Sequence, residues 1–149
     1  MIADFRDVLA VLVAHGVRFL VVGAHALAAH GVPRVTGDLD IWMEPTEANA
    51  DRTWRALADF GAPLESLGIR KADFARRDQV IQLGLPPFRI DVMTTISGVE
   101  FDEAEPGAIE GTLFGVPVRF IGREAFVRNK RASGRPKDLT DIAALGEPQ

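Results

Sequence analysis

The chain has 149 residues, 47% of them hydrophobic and 26% charged, with a net charge of −4 and no cysteine. That length suits one domain with a real core and is too short for two ordinary ones. Disulfides and thiolate metal sites are excluded, and the net acidity argues against a nonspecific nucleic-acid coat over the whole surface.

The first residues, Met1 to Asp7, carry acids where a secretory leader would carry bases. The apolar runs are too short to span a bilayer, so a cytoplasmic location with no membrane partner is expected. Asp4 to His15 reads as a helix with Phe5, Val8, Leu9 and Leu12 on one face and Gly16 as its stop. Val17 to Val22 is a β-branched apolar run of strand length, and Gly23 turns the chain into a short helix, Ala24 to His30. Gly31-Val32-Pro33 ends that helix. Asp38 to Met43 reads as a strand. Thr46 caps a long helix that presents Trp54, Leu57 and Phe60 inward and closes at Gly61. A loop with a short helix near Lys71–Ala75 follows. Gln79 to Leu83 and Phe88 to Thr94 read as strands joined by Gly84-Leu85-Pro86-Pro87.

Ile109 to Leu113 and Val116 to Ile121 form a hairpin across Phe114-Gly115. Helices at Arg123–Ala132 and Pro136–Leu145 complete the chain. Strands and helices alternate without strict regularity, which predicts a mixed, twisted β-sheet flanked by helices, an α/β fold of the mixed α+β kind. The expected organisation is one domain over residues 1–149, with a core to about 121 and a basic helical segment from about 122. Between Arg123 and Lys137 six bases face one acid, Glu124, a local charge of +5 that leaves −9 for the remainder. Such a segment either faces phosphates or forms a solvated helix face.

The chemistry is concentrated in three acids. Asp38 and Asp40 flank Leu39 in an apolar strand, and residues two apart in a strand share a face. Two carboxylates side by side repel each other, and a divalent cation reverses the sign of that interaction. Hard oxygen ligands of this kind suit magnesium or manganese. Asp91, alone in Phe88-Arg89-Ile90-Asp91-Val92-Met93, is either a salt-bridge partner of Arg89 or Arg34 or a third carboxylate of the same site. In the second case it would ligate a metal or take a proton from an attacking hydroxyl. Gly23 sits where a strand becomes a helix, and glycine there lets backbone approach a ligand closely.

Gly23-Ala24, a spacer, Asp38-x-Asp40 and a distant Asp91 resemble the pattern of the polymerase-beta-like nucleotidyltransferase superfamily. The run from Gly23 to Asp40 and the closing Lys130-Arg131-Ala132-Ser133-Gly134-Arg135-Pro136-Lys137-Asp138-Leu139-Thr140-Asp141 are similar to small stand-alone members related to AbiEii-type toxins. The resemblance spans nearly the whole chain. It implies a nucleotidyltransferase fold and transfer of a nucleoside monophosphate from an NTP to a hydroxyl of a protein, a tRNA or other RNA end, or a small molecule. It further implies Mg2+ or Mn2+ held by Asp38, Asp40 and Asp91, which form the catalytic set. Gly23 and Ala24 would line the phosphates, with His25, Arg34, Thr36, Lys130 and Lys137 as further nucleotide contacts. A cognate partner protein from a neighbouring gene, as in a toxin–antitoxin pair, belongs to the same expectation.

Many active members carry serine after the glycine, and Ala24 lacks that hydroxyl. His25 substitutes for it or is a capping and packing residue. Asp138 and Asp141 read as helix-start acids, Asp138 also as a residue that orients Lys137. Two other readings stand beside the enzyme: a catalytically weak nucleotide-binding or antitoxin module, and a metal-dependent phosphohydrolase on an unrelated fold.

Overall fold

The structure is a computed structural model that describes residues 2–85 and 87–148; Met1, Gln149 and the expected turn residue Pro86 lie outside these. Helix α1 (Ile2–Ala14) leads into strand β1 (Phe19–Val22), and helix α2 (Gly23–Ala29) follows without a break. Strand β2 (Asp38–Met43) precedes helix α3 (Glu47–Phe60) and a 3-10 helix at Lys71–Ala75. Then come strands β3 (Val80–Leu85) and β4 (Phe88–Met93), the short helix α4 (Phe101–Ala104), and strands β5 (Ile109–Leu113) and β6 (Val116–Phe120). Helices α5 (Arg123–Ser133) and α6 (Pro136–Ala144) close the described chain.

The six strands form one sheet in the order β3-β4-β2-β1-β6-β5. Pairs β2–β4 and β1–β6 are parallel, and β1–β2, β3–β4 and β5–β6 are antiparallel. This is the mixed sheet flanked by helices that the sequence predicts. Local chemistry sets several boundaries. The Thr46 hydroxyl accepts the Asn49 amide at 3.3 Å as the cap of α3, and Gly61 ends that helix at φ +92°. Phe114 and Gly115 both have positive φ (+50° and +81°), the backbone a two-residue hairpin turn demands.

Register carries the site. The parallel pairing of β2 with β4 sets Asp40 beside Asp91 and Asp38 beside Arg89. On the other side, antiparallel pairing with β1 sets Asp40 beside Val22. The alternate residues Leu39, Ile41, Ile90 and Val92 are buried on the opposite face, in a core shared with Phe5, Leu9 and Leu12 of α1 and Leu57 of α3. Trp42 is buried against Phe101 of α4, with ring centroids 5.2 Å apart.

Two expectations are corrected. Gly84 and Leu85 are not part of the turn: β3 continues through them, Gly84 pairing with Arg89 and Leu85 with Phe88. Gly84 does so at φ +85°, a conformation its missing Cβ allows, so strand pairing outweighs the turn signal. No element was expected between the strand ending at Thr94 and Ile109, yet α4 forms there. Its first amide, Glu100 N–H, donates to the Glu103 carboxylate at 2.9 Å, and Phe101 packs on Trp42. Among the described residues no helix is long and apolar enough to cross a membrane.

Candidate active site

Gly23 adopts φ +68°, and a Cβ there would lie 2.1 Å from Asp40 Oδ2. The bare backbone at the end of β1 is therefore what makes room for the Asp40 carboxylate. Helix α2 has only seven residues, so the contribution of Gly23 is close backbone approach rather than the field of a long helix.

Around this point lies a cleft of about 360 Å3. Gly23, Ala24, Arg34, Thr36, Asp38, Asp40, Asp91, Lys130 and Lys137 all line it, as do Arg89, Arg135 and Asp141. Nine of the ten residues predicted to form the site thus meet in one cavity, drawn from α2, the loop after it, β2, β4, α5 and α6. His25 is the exception. Its ring packs edge-on against Phe114 with centroids 5.6 Å apart, and its Nε2 is buried without a hydrogen-bond partner. Burial draws its pKa down, against the opposing effect of a bond with the Asp38 backbone, so the ring is neutral packing.

The carboxylates differ in exposure. The Asp38 side chain is 41% exposed and that of Asp91 11%. Asp40 has its carboxyl pushed up to about 6, first by burial, then by the charges of Asp91 and Asp38, against the opposing pull of Lys137 and Lys130. Arg89 supplies the compensating charge. Its Nε donates to Asp91 Oδ1 at 2.8 Å, and its Nη2 reaches Asp91 Oδ2 at 3.1 Å and Asp38 Oδ2 at 3.4 Å. Asp91 is therefore the partner of Arg89 and sits beside Asp40.

Among the described residues no group of three His, Cys, Asp or Glu side chains is gathered as a cation cage. The Arg89 guanidinium lies within hydrogen-bond reach of two of the acids. The donor set fits a hard divalent cation: three oxygen-bearing side chains share one sheet face, and burial together with the charges of the other two raises the pKa of Asp40.

Three cations of the cleft, Arg34, Lys130 and Arg135, are held in turn by acids of α6. Arg34 Nη2 donates to Asp141 Oδ1 at 3.1 Å. Lys130 Nζ donates to Asp138 Oδ1 at 3.3 Å and lies 3.8 Å from Asp141 Oδ2. Arg135 binds Asp138 through Nε at 2.8 Å and through its own backbone amide at 3.3 Å. Burial alone would raise the Asp138 carboxyl, but the bonds from Arg135 and Lys130 hold it below its usual range. Asp138 thus orients Lys130 and Arg135 rather than Lys137. Among the described residues Lys137 makes no ion pair, and its charge acts on Asp40. Thr36 works on the backbone, its hydroxyl accepting the Asp38 amide at 3.0 Å. Arg89 and Arg135 were not among the predicted ligand contacts; the signal for Arg89 was its position two residues before Asp91 on the same strand face.

No family model and no curated protein matches the sequence. Among solved structures the fold is that of nucleotidyltransferases. The antibiotic-resistance factor ANT(2'')-Ia aligns with a TM-score of 0.61 at 16% identity, over 97% of this chain and 81% of its own. The candidate nucleotidyltransferase TM1012 of Thermotoga maritima aligns with a TM-score of 0.57 at 16% identity, over 95% of this chain and 88% of its own. The phosphohydrolase reading supposed an unrelated fold, which the chain does not have.

Proposed function

We propose that this chain is a metal-dependent nucleotidyltransferase that moves a nucleoside monophosphate from an NTP to a hydroxyl acceptor. One observation carries the proposal: Asp38, Asp40 and Asp91 share a face over the Gly23 turn, in a cleft whose rim holds Arg34, Lys130 and Lys137. Anionic phosphates need the cations, and the carboxylates need a counter-charge. A triphosphate with Mg2+ or Mn2+ satisfies both.

Asp38, Asp40 and Asp91 would hold the metal, which when bound neutralises phosphate charge and polarises the transferred group. Arg34 and Lys137 would bind the β- and γ-phosphates, Arg34 through its planar fork of donors. Gly23 and Ala24 would meet the phosphates through backbone. Asp91, beside Asp40, would accept the proton of the acceptor hydroxyl. The acceptor oxygen bonds to the α-phosphorus, the bond from that phosphorus to the bridging oxygen breaks, and pyrophosphate leaves.

The acceptor class (protein, RNA end or small molecule), a relation to the AbiEii-type toxins, a cognate partner from a neighbouring gene, a single-domain organisation and a cytoplasmic setting belong to the same proposal. A second reading, a module that binds NTP without transfer, is favoured by Ala24, which offers no hydroxyl. The test is a thermal scan with Mg2+ or Mn2+ plus each NTP. A metal-dependent rise in melting temperature for wild type, absent in Asp40→Asn, supports the site. No shift in either protein refutes it.

A further inference from the structure

Strand β3 ends the sheet on the side of Asp91. Thr94 N–H donates to the Gln79 carbonyl at 3.0 Å, so by alternation Ile81, Leu83 and Leu85 also turn their backbone groups toward β4. Those of Val80, Gln82 and Gly84 point outward, where the sheet has no further strand. Natural sheets guard such edges with lysine, proline or an inward-pointing charge. The opposite edge strand, β5, carries Glu110. The β3 sequence Val-Ile-Gln-Leu-Gly-Leu has no charge and no proline, and Val80 and Leu85 are 60% and 81% exposed. An unguarded edge of this kind is a template for an extended peptide.

Its position ties it to the cleft. Register sets Gln82 beside Asp91 and Gly84 beside Arg89, so one face of β3 continues the floor that carries the carboxylates. That strip is uncharged and open: Gln82 and Gly84 are exposed, and Gly84 offers no side chain. The cations just before β3 are already matched. Arg76 lies 3.6 Å from Asp73, and Arg77 Nη1 donates to Glu100 at 2.8 Å. An RNA strand needs free cations for its phosphates, and these two are taken. A polypeptide needs unpaired backbone groups, which β3 supplies.

We propose that β3 binds an extended segment of a partner protein as an added strand, and that a tyrosine of this segment is the acceptor. The inference rests on the nucleotidyl-transfer reading and names the acceptor of that same site. The added strand lies two strand spacings, about 10 Å, from β4. A serine or threonine hydroxyl, one carbon from its backbone, falls short of Asp91 across that gap. A tyrosine hydroxyl stands at the far end of its ring, and the ring has room to lie across Gly84 toward Arg89 and Asp91. The phenol oxygen bonds to the α-phosphorus as pyrophosphate leaves, and its proton passes to Asp91. The chain itself contains no tyrosine, so the acceptor segment belongs to another protein and not to a second copy.

The experiment incubates wild type, Gln82→Pro and Val80→Lys with α-phosphate-labelled NTP, magnesium and cell lysate, and maps the labelled residue by mass spectrometry. Proline at 82 removes an outward N–H while sparing the bonds to β4, and lysine at 80 charges the edge. The metal-plus-NTP melting shift reports that each variant keeps its fold and its nucleotide site. The expected result is label on a tyrosine of a lysate protein, reduced about tenfold or more in both variants with the melting shift retained. Should one variant lose the shift, the other decides. Label on RNA, on a small molecule, or on serine or threonine overturns the inference and leaves the nucleotidyl-transfer reading standing. Undiminished protein labelling by a variant that keeps the shift does the same. So does sedimentation that shows a wild-type dimer dissolved by Gln82→Pro, since a second copy then occupies the edge. Wild type that transfers no label to any acceptor overturns both.

Discussion

Replacing Asp40 by asparagine should stabilise the metal-free protein. The Asp40 carboxyl is pushed up to about 6 from an ordinary 3.8, by burial first and then by Asp91 and Asp38. A folded-state pKa above the unfolded one means that the native state holds its proton more tightly. That contribution is intact below pH 3.8 and is lost as pH rises through 6. The gap corresponds to about 3 kcal/mol at full ionisation, an upper figure for a side chain with some solvent contact. The asparagine side chain carries no charge at any pH and keeps a similar shape. Other acids pull the opposite way: Glu105, bonded by Arg18 and Arg119, and Asp138 are both held below their usual range. The difference between wild type and variant isolates Asp40 from them. Urea denaturation in EDTA at pH 4.5, 6 and 8 measures it. The Asp40→Asn advantage should be small at pH 4.5 and grow to as much as about 3 kcal/mol at pH 8. An advantage that is absent, or flat across this range, would refute the account of Asp40 as a strained member of a carboxylate cluster.

Gly23→Ala should cost about 1–2 kcal/mol of stability from its left-handed backbone. It should also abolish the metal-plus-NTP melting shift, because the new Cβ displaces the Asp40 carboxylate; a variant that melts lower yet keeps the shift would show that Asp40 need not sit there. Lys130→Ala removes a charge-assisted bond to the fully buried Asp138 and should lose about 1.5–3 kcal/mol in urea. Lys137→Ala, at an exposed position, should stay within about 0.5 kcal/mol in stability while weakening tripolyphosphate binding. Equal effects of the two lysines on stability would contradict the division of labour between them. Arg89→Gln leaves Asp38 and Asp91 without their guanidinium. It should melt lower than wild type in EDTA and gain more from added Mn2+, and an unchanged manganese response would show that Arg89 does not compensate those acids.

Much of the site was legible because its signals are local. The apolar-flanked Asp38-x-Asp40, the strand-end Gly23 and the lone Asp91 announce themselves within a few residues, and one sheet register then brings them together. The Thr46 cap, the Gly61 stop and the Phe114-Gly115 turn were legible for the same reason. What stayed hidden depends on contacts far along the chain. Helix α4 is four residues long and is held by Phe101 on Trp42, 59 residues earlier. Asp138 reads as an ordinary first-turn acid, and only the approach of α5 to α6 turns it into the buried counterion of Lys130. His25 lies two residues after Gly23 in sequence, yet its ring packs against Phe114.

The central claim is tested most directly by incubating wild type, Asp40→Asn and Asp91→Asn with each α-phosphate-labelled NTP, magnesium and cell lysate, then looking for label bound covalently to protein, RNA or a small molecule. The account predicts transfer by wild type from at least one NTP, none by Asp40→Asn, and none by Asp91→Asn despite retained NTP binding, the pattern of a group that acts mainly in the transition state. Wild type that binds NTP but transfers no label, or an Asp91→Asn variant that transfers as well as wild type, would contradict it.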